Sequence, residues 1–247
     1  MTGGGSGIGA AMAQCFHDLG NTVIIAGRRR DALEKTMAGR KRMFALSLDI
    51  DKPASIAACV EQALEIDPSL NVLINNAGIM RFEALDHLRD LADAEATIQT
   101  NMLGVIRMTN ALIDHLIKQA DSAIVNVSSG LAFVPLVTTP TYSATKAAVH
   151  SYTASLRYAL RGQVEVIELI PPAVQTDLTP GQSTRPGYLP LATYIDEVMQ
   201  RFQQQPTQEE ILVEKVRPFR FAEAEKQFDE CLNRLNESAR QAQESQG

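Results

Sequence analysis

Short apolar runs rich in β-branched residues alternate with amphipathic stretches along most of the chain, and this alternation limits the fold more than any other feature. Residues 22–26, 43–48, 70–75, 123–127 and 164–170 are strand-like, with 211–213 a weaker sixth. None alternates strictly between polar and apolar, which is the pattern of strands buried on both faces. Ahead of the first of these, Ile8, Met12, Cys15, Phe16 and Leu19 make one helical stripe, stopped by Gly20. Further helices are expected at 55–66, 91–118, 140–160 and 219–235. Strands that alternate with helical crossovers build a parallel sheet covered on both sides. The expected architecture is therefore a three-layer, doubly wound α/β domain. The 247 residues suit one such domain over 1–236, followed by a polar tail at 237–247. The Thr-, Pro- and Gly-rich stretch that opens the 177–210 region reads as a substrate lid. No internal repeat is visible.

Composition narrows the partners. The formal net charge is −6, so no basic excess exists to neutralise phosphates and no nucleic-acid partner is expected. Cys15, Cys59 and Cys231 form no Cys-x-x-Cys pair, which leaves neither a zinc site nor a dithiol redox motif. No apolar run reaches the roughly 20 residues of a membrane span. No signal-peptide pattern opens the sequence. Reduced thiols and a cytoplasmic location are expected, with no metal and no membrane.

Ligands of parallel α/β sheets sit at the carboxyl ends of the strands, and those ends carry Gly, Asp, Asn and Ser. The run from Thr2 to Gly9 is glycine-rich and leads straight into the first helix. Gly3, Gly5, Gly7 and Gly9, with Ser6 and Ile8, can bring backbone N–H groups and a helix start against a phosphate. The same composition also describes a flexible linker. Arg28 and Arg29 follow the next strand. An acidic residue at that place binds a ribose 2′-hydroxyl, whereas arginine suits a 2′-phosphate; a solvated basic helix start would look alike. Tyr142 and Lys146 lie four residues apart, on one helical face. A nearby ammonium favours phenolate and makes tyrosine a usable general acid or base. Ser129 ends the fourth strand, and Asn101 sits inside an expected helix, where Asn is not favoured.

Taken in order, these motifs resemble the short-chain dehydrogenase/reductase family over almost the whole chain. Thr-Gly-x-x-x-Gly-x-Gly is matched at residues 2–9, the Asp after the third family strand at Asp49, and Asn-Asn-Ala-Gly at 75–78. Asn101, Ser129, and Tyr142 with Lys146 complete the set. The stretch 128–133, with Pro171 and Pro172, is most similar to the DltE-like bacterial oxidoreductases. The resemblance implies a Rossmann-like sheet and an NADP(H)-dependent oxidoreductase acting on a small carbonyl or alcohol substrate. NADP(H) is favoured over NAD(H). It implies that Ser129 orients the substrate oxygen, Tyr142 transfers the proton, Lys146 binds the nicotinamide ribose and Asn101 holds a relay water. It further implies that Asp49 meets adenine, that Asn76, Ala77 and Gly78 line the cofactor cleft, and that Thr176 meets the nicotinamide amide. Ile50, Pro171 and Val174 complete the implied cofactor contacts. Family members are commonly homodimers or homotetramers, joined through helices matching 91–118 and 140–160.

Two departures stand out. Pro171-Pro172 replaces the usual Pro-Gly and removes a backbone donor. Family members also carry a strand of about six residues before the Thr-Gly motif, whereas only Met1 precedes Thr2. That central first strand is therefore expected to be truncated, leaving two exposed ladder edges. The alternatives are a non-catalytic NADP-binding regulator on the same fold and a related epimerase or dehydratase. An intact Tyr142–Lys146 pair weighs against the first, and a short lid region against large nucleotide-sugar substrates.

Overall fold

A computed structural model describes residues 1–244. The elements run α1 Gly7–Asp18, β1 Val23–Gly27, α2 Arg30–Met37, β2 Met43–Ser47, α3 Pro53–Ile66, β3 Val72–Asn75, α4 Ala92–Ile98 and α5 Gly104–Leu116. They continue with β4 Ala123–Val127, α6 Pro140–Ala159, β5 Glu165–Ile170, α7 Leu191–Phe202, β6 Glu210–Leu212, α8 Arg217–Arg220 and α9 Phe228–Glu244. All six expected strands form, and every strand pairing is parallel. Pro53 and Pro140 open α3 and α6, where a fixed φ and a missing N–H cost nothing.

The strands lie in two sheets, β1–β2 and β3–β4–β5–β6. Residues 1–3 run between them as a seam. The Ala26 amide donates to the Met1 carbonyl (2.9 Å) and the Gly3 amide to the Ala26 carbonyl (2.8 Å). On the other side the Thr2 amide donates to the Ile74 carbonyl (3.0 Å). Below this stitch, a cavity of about 40 Å³ separates β1 from β3, with Ile24, Val72 and Leu73 on its walls. Residues 1–3 thus bond both sheets and hold the halves in line.

One apolar layer joins α1 and α7 to β3–β6, through Met12, Val125, Leu169, Tyr194, Val198 and Ile211. The other joins α3 and α5 to both sheets, through Leu46, Ile56, Leu73, Leu112, Ile124 and Val166. Helices cover both faces, as a parallel sheet requires.

Four local readings need correction. The single helix expected at 91–118 is broken by a π-helical turn, Gln99–Leu103, between α4 and α5. Asn101 lies in that turn, and its side chain bonds backbone outside the helix (below). The 219–235 helix is also split: α8 stops at Arg220, and the chain turns through Lys226 at φ 57° before α9 starts. α9 then runs past Glu237, where a frayed tail was expected, to Glu244; residues 245–247 of that tail lie outside the described residues. The 177–210 region is not all loop, because α7 lies within it and buries Tyr194 and Val198 completely. Finally, α2 was not foreseen. Among the described residues no helix is long and apolar enough to cross a membrane.

The Tyr194 hydroxyl is buried with no hydrogen-bond partner, and a lost hydration shell that nothing replaces is destabilising. Tyr194→Phe is expected to raise the unfolding free energy by about 1 kcal/mol in urea denaturation; a loss of stability would mean that the hydroxyl is bonded.

Candidate active site

The carboxyl ends of the strands border a cleft of about 450 Å³, within the usual range for small-molecule sites. Its floor is the loop between the seam and α1. Gly7 takes φ +53°, a region closed to most side chains. At Gly9 a Cβ would fall 2.4 Å from both the Asn76 Nδ2 and the Gly3 carbonyl oxygen. The loop is therefore bare backbone held against its neighbour, leading into a helix start. Bare backbone at a helix start has the chemistry to hold a diphosphate. Thr2 fixes the loop in place. Its hydroxyl accepts from the Asn76 and Ala77 amides (both 3.0 Å), while Asn76 Nδ2 donates to the Thr2 and Gly3 carbonyls (3.1 and 3.2 Å).

Gly3, Gly5, Ser6, Gly7, Ile8 and Gly9 all border this cleft, as do Asn76, Ala77 and Gly78. Arg28 and Arg29 border it beyond β1, and Arg29 Nη2 donates to Ser6 Oγ (2.9 Å). Ile50 lies on the same wall. Asp49 does not. Its carboxylate pairs with Lys52 (3.0 Å) and accepts from the Asp51 amide (3.3 Å). The Lys52 hydrogen bond in particular holds it below the usual carboxylate range.

At the far end, Ser129, Tyr142 and Lys146 meet, with Pro171, Val174 and Thr176 across from them. Ser129 Oγ accepts from the Leu131 amide (3.1 Å), and Lys146 Nζ donates to the Val127 carbonyl (2.8 Å). The ammonium lies 5.6 Å from the centre of the Tyr142 ring. Burial pushes the Tyr142 hydroxyl up to about 12, against a hydrogen bond with Ser129 that lowers it. Burial also lowers Lys146 to about 8, against the nearby charge of Glu168. Asn101 stands beside this group but not on the cleft wall. Its Oδ1 accepts from the Ile79 amide and its Nδ2 donates to the Ile79 carbonyl (both 2.8 Å); Nδ2 also lies 3.3 Å from Thr145 Oγ1. The π-helical turn is what lets this side chain clasp the strand-end loop.

A family model described as short chain dehydrogenase matches residues 1–186. The chain belongs to the short-chain dehydrogenases. It is 37% identical over 204 residues to the uncharacterized oxidoreductase DltE of Bacillus subtilis (strain 168), covering 82% of this chain and 81% of that one. Among solved structures, it resembles a short chain dehydrogenase from Burkholderia cenocepacia J2315 in complex with NADP, with a TM-score of 0.79 and 25% identity, over 95% of this chain and 94% of that one. It also resembles a 3-ketoacyl-(acyl-carrier-protein) reductase from Brucella melitensis complexed with NADH, with a TM-score of 0.73 and 30% identity, over 83% and 89%. As a short-chain dehydrogenase it is a pyridine-nucleotide oxidoreductase that acts on CH–OH or C=O groups of small molecules.

Several features of this short-chain dehydrogenase escaped the sequence. Gln182 donates from Nε2 to the Val174 carbonyl (2.9 Å) and to Thr176 Oγ1 (3.1 Å), and its Oε1 accepts from Thr179 Oγ1 (2.9 Å). It ties the opening of the 177–210 region to the cleft, and a lone Gln in a polar loop carries no signal of that. Arg81 also borders the cleft, contributed by a loop with no motif of its own. Thr2 was legible as part of a motif, but not as the tie between the sheets. Thr2→Val keeps the shape and leaves two amides unpaired. We expect a loss of about 1–3 kcal/mol in urea denaturation, together with weaker nucleotide binding; unchanged values in both would remove this hydroxyl from its role.

Proposed function

We propose that this enzyme transfers a hydride between NADP(H) and a small carbonyl or alcohol, using Ser129, Tyr142 and Lys146 for proton transfer. The observation that carries the reading is the convergence of these three side chains at one end of the cleft that holds the glycine loop and two arginines at the other. The nicotinamide supplies the hydride when bound. The bare glycine loop and the start of α1 suit its diphosphate. Arg28 and Arg29, both exposed and cationic, suit a ribose 2′-phosphate and support NADP(H) over NAD(H). Asn76, Ala77 and Gly78 would flank the diphosphate, and Thr176, Val174 and Pro171 would face the nicotinamide end; all line the cleft.

Ser129 holds the substrate oxygen. With its hydroxyl near 12, Tyr142 carries its proton throughout the neutral range and donates it to that oxygen as the carbonyl is reduced. Lys146 then stabilises the phenolate left behind. It would also hold the ribose of the nicotinamide. Asn101, closed on Ile79, fixes the loop over Lys146 rather than reaching substrate. A cytoplasmic enzyme that forms a homodimer or homotetramer belongs to the same reading. Exposed Leu91 and Ile98, at the two ends of α4, support the assembly.

Tyr142→Phe is expected to lower turnover by about 10²–10⁴-fold while NADPH binding, followed by fluorescence, stays nearly unchanged. In the unaltered enzyme, carbonyl reduction should hold up to about pH 8 and fall above it, as Lys146 loses its proton. A Phe variant with normal turnover would exclude Tyr142 as the proton donor.

A further inference from the structure

Glu168 is 0% exposed, in the middle of β5. A carboxylate deep in a central strand is costly unless it is paired, and it marks a place where charge has a use. Two groups hold it. Ser128 Oγ donates to Oε1 at 2.5 Å, the length of a charge-assisted O–H···O⁻ bond. His150 Nδ1 bonds Oε2 at 2.8 Å. Ser128 is the chain neighbour of Ser129, and His150 lies one helical turn after Lys146 on α6. Glu168 thus touches both elements that carry the proton-transfer group.

We propose that Glu168 is a positioning residue for the reaction: it anchors Ser128, and with it Ser129, and supplies the buried negative charge that keeps Lys146 an ammonium ion. The proposal rests on the role given to Lys146 above. Other charged groups around Glu168 are few. From α6 come Lys146, His150 and Arg157, the last turned to the Val166 carbonyl (2.9 Å). From β6 comes Glu210, and from α8 Arg220, which closes on Glu210 through Nε and Nη2 (2.7 and 2.8 Å). That pair adjoins His150, whose ring lies within 4.8 Å of both the Glu168 and Glu210 carboxylates, and His150 is the titratable group bonded to Glu168. The hydrogen bond to Glu168 raises His150 above its ordinary value. Below that raised value an imidazolium offsets Glu168. As pH climbs through it, the offset disappears and the whole charge of Glu168 acts on Lys146.

The test reads Lys146 directly. Competitive acetylation with acetic anhydride over neutral to alkaline pH, followed by mass spectrometry, gives the midpoint at which Lys146 becomes a free amine, with no substrate needed. In Glu168→Gln the midpoint should fall by about one pH unit, and the alkaline limb of the turnover profile should fall with it. His150→Gln breaks the same His–Glu bond but leaves the charge, so its midpoint should be no lower than that of the unaltered enzyme. A purely structural role would lower the melting temperature of both variants and leave both midpoints in place, and would overturn the proposal. If Glu168→Gln does not fold, His150→Lys places a permanent cation against Glu168. A lowered midpoint supports the proposal and an unmoved one overturns it. Normal labelling shifts in an enzyme with no carbonyl turnover would count against the hydride-transfer reading and leave this one standing.

Discussion

The Thr2 hydroxyl accepts hydrogen bonds from the Asn76 and Ala77 amides, while the Thr2 backbone bonds β3 and its neighbours Met1 and Gly3 bond β1. Through these few contacts two sheets behave as one scaffold. The same contacts hold the glycine loop against the turn after β3. Gly9 has no room for a Cβ because Asn76 and Gly3 are already there. The close fit of that loop follows from the tie, and so does the bare backbone offered to a diphosphate. The Thr2 hydroxyl serves two amides at once. A single methyl-for-hydroxyl change there acts on both stability and binding.

Burial sets the chemistry at the other end. A phenol and an amine placed under the same apolar roof move in opposite directions, each toward its neutral form. Tyr142 rises to about 12 and Lys146 falls to about 8. That gives a firm proton donor beside a cation that is marginal near pH 8. A marginal cation needs a counter-charge, and Glu168 lies where a neutral residue would serve packing better. The Ser128 and His150 contacts make its burial tolerable. Ser129, Tyr142 and Lys146 line the cleft, and Glu168 on β5 bonds the chain neighbour of the first and a residue one helical turn from the last.

Much of this was legible because the family motifs are short and sit at strand ends. Residues 22–26, 70–75 and 123–127 read as strands from β-branched composition alone, and their polar endings marked the cleft edge. Tyr142 and Lys146 were legible from helical spacing, although nothing in that spacing reported burial. What was hidden depended on contacts across long stretches of sequence. The break between α4 and α5 carries Asn101, which bonds Ile79, 22 residues away. α7 was masked by the Pro- and Gly-rich stretch before it, although Tyr194 and Val198 have the i, i+4 spacing of a buried helical face. The strand 164–170 was expected, yet Glu168 within it drew no attention, since its partners Ser128 and His150 come from other elements. Asp49 was read as an adenine contact from its motif position, but the nearby Lys52 takes its carboxylate.

The account turns on whether a nicotinamide nucleotide carrying a 2′-phosphate occupies the cleft between the glycine loop and Lys146. The most direct measurement is the melting temperature of the full chain across a concentration series of NADPH and, separately, NADH. A ligand that binds only the folded state raises the midpoint progressively as its concentration passes Kd. The account predicts a saturable rise with both nucleotides that begins at lower concentration with NADPH. A rise that begins first with NADH would contradict the roles of Arg28 and Arg29, and no rise with either would contradict the nucleotide site itself.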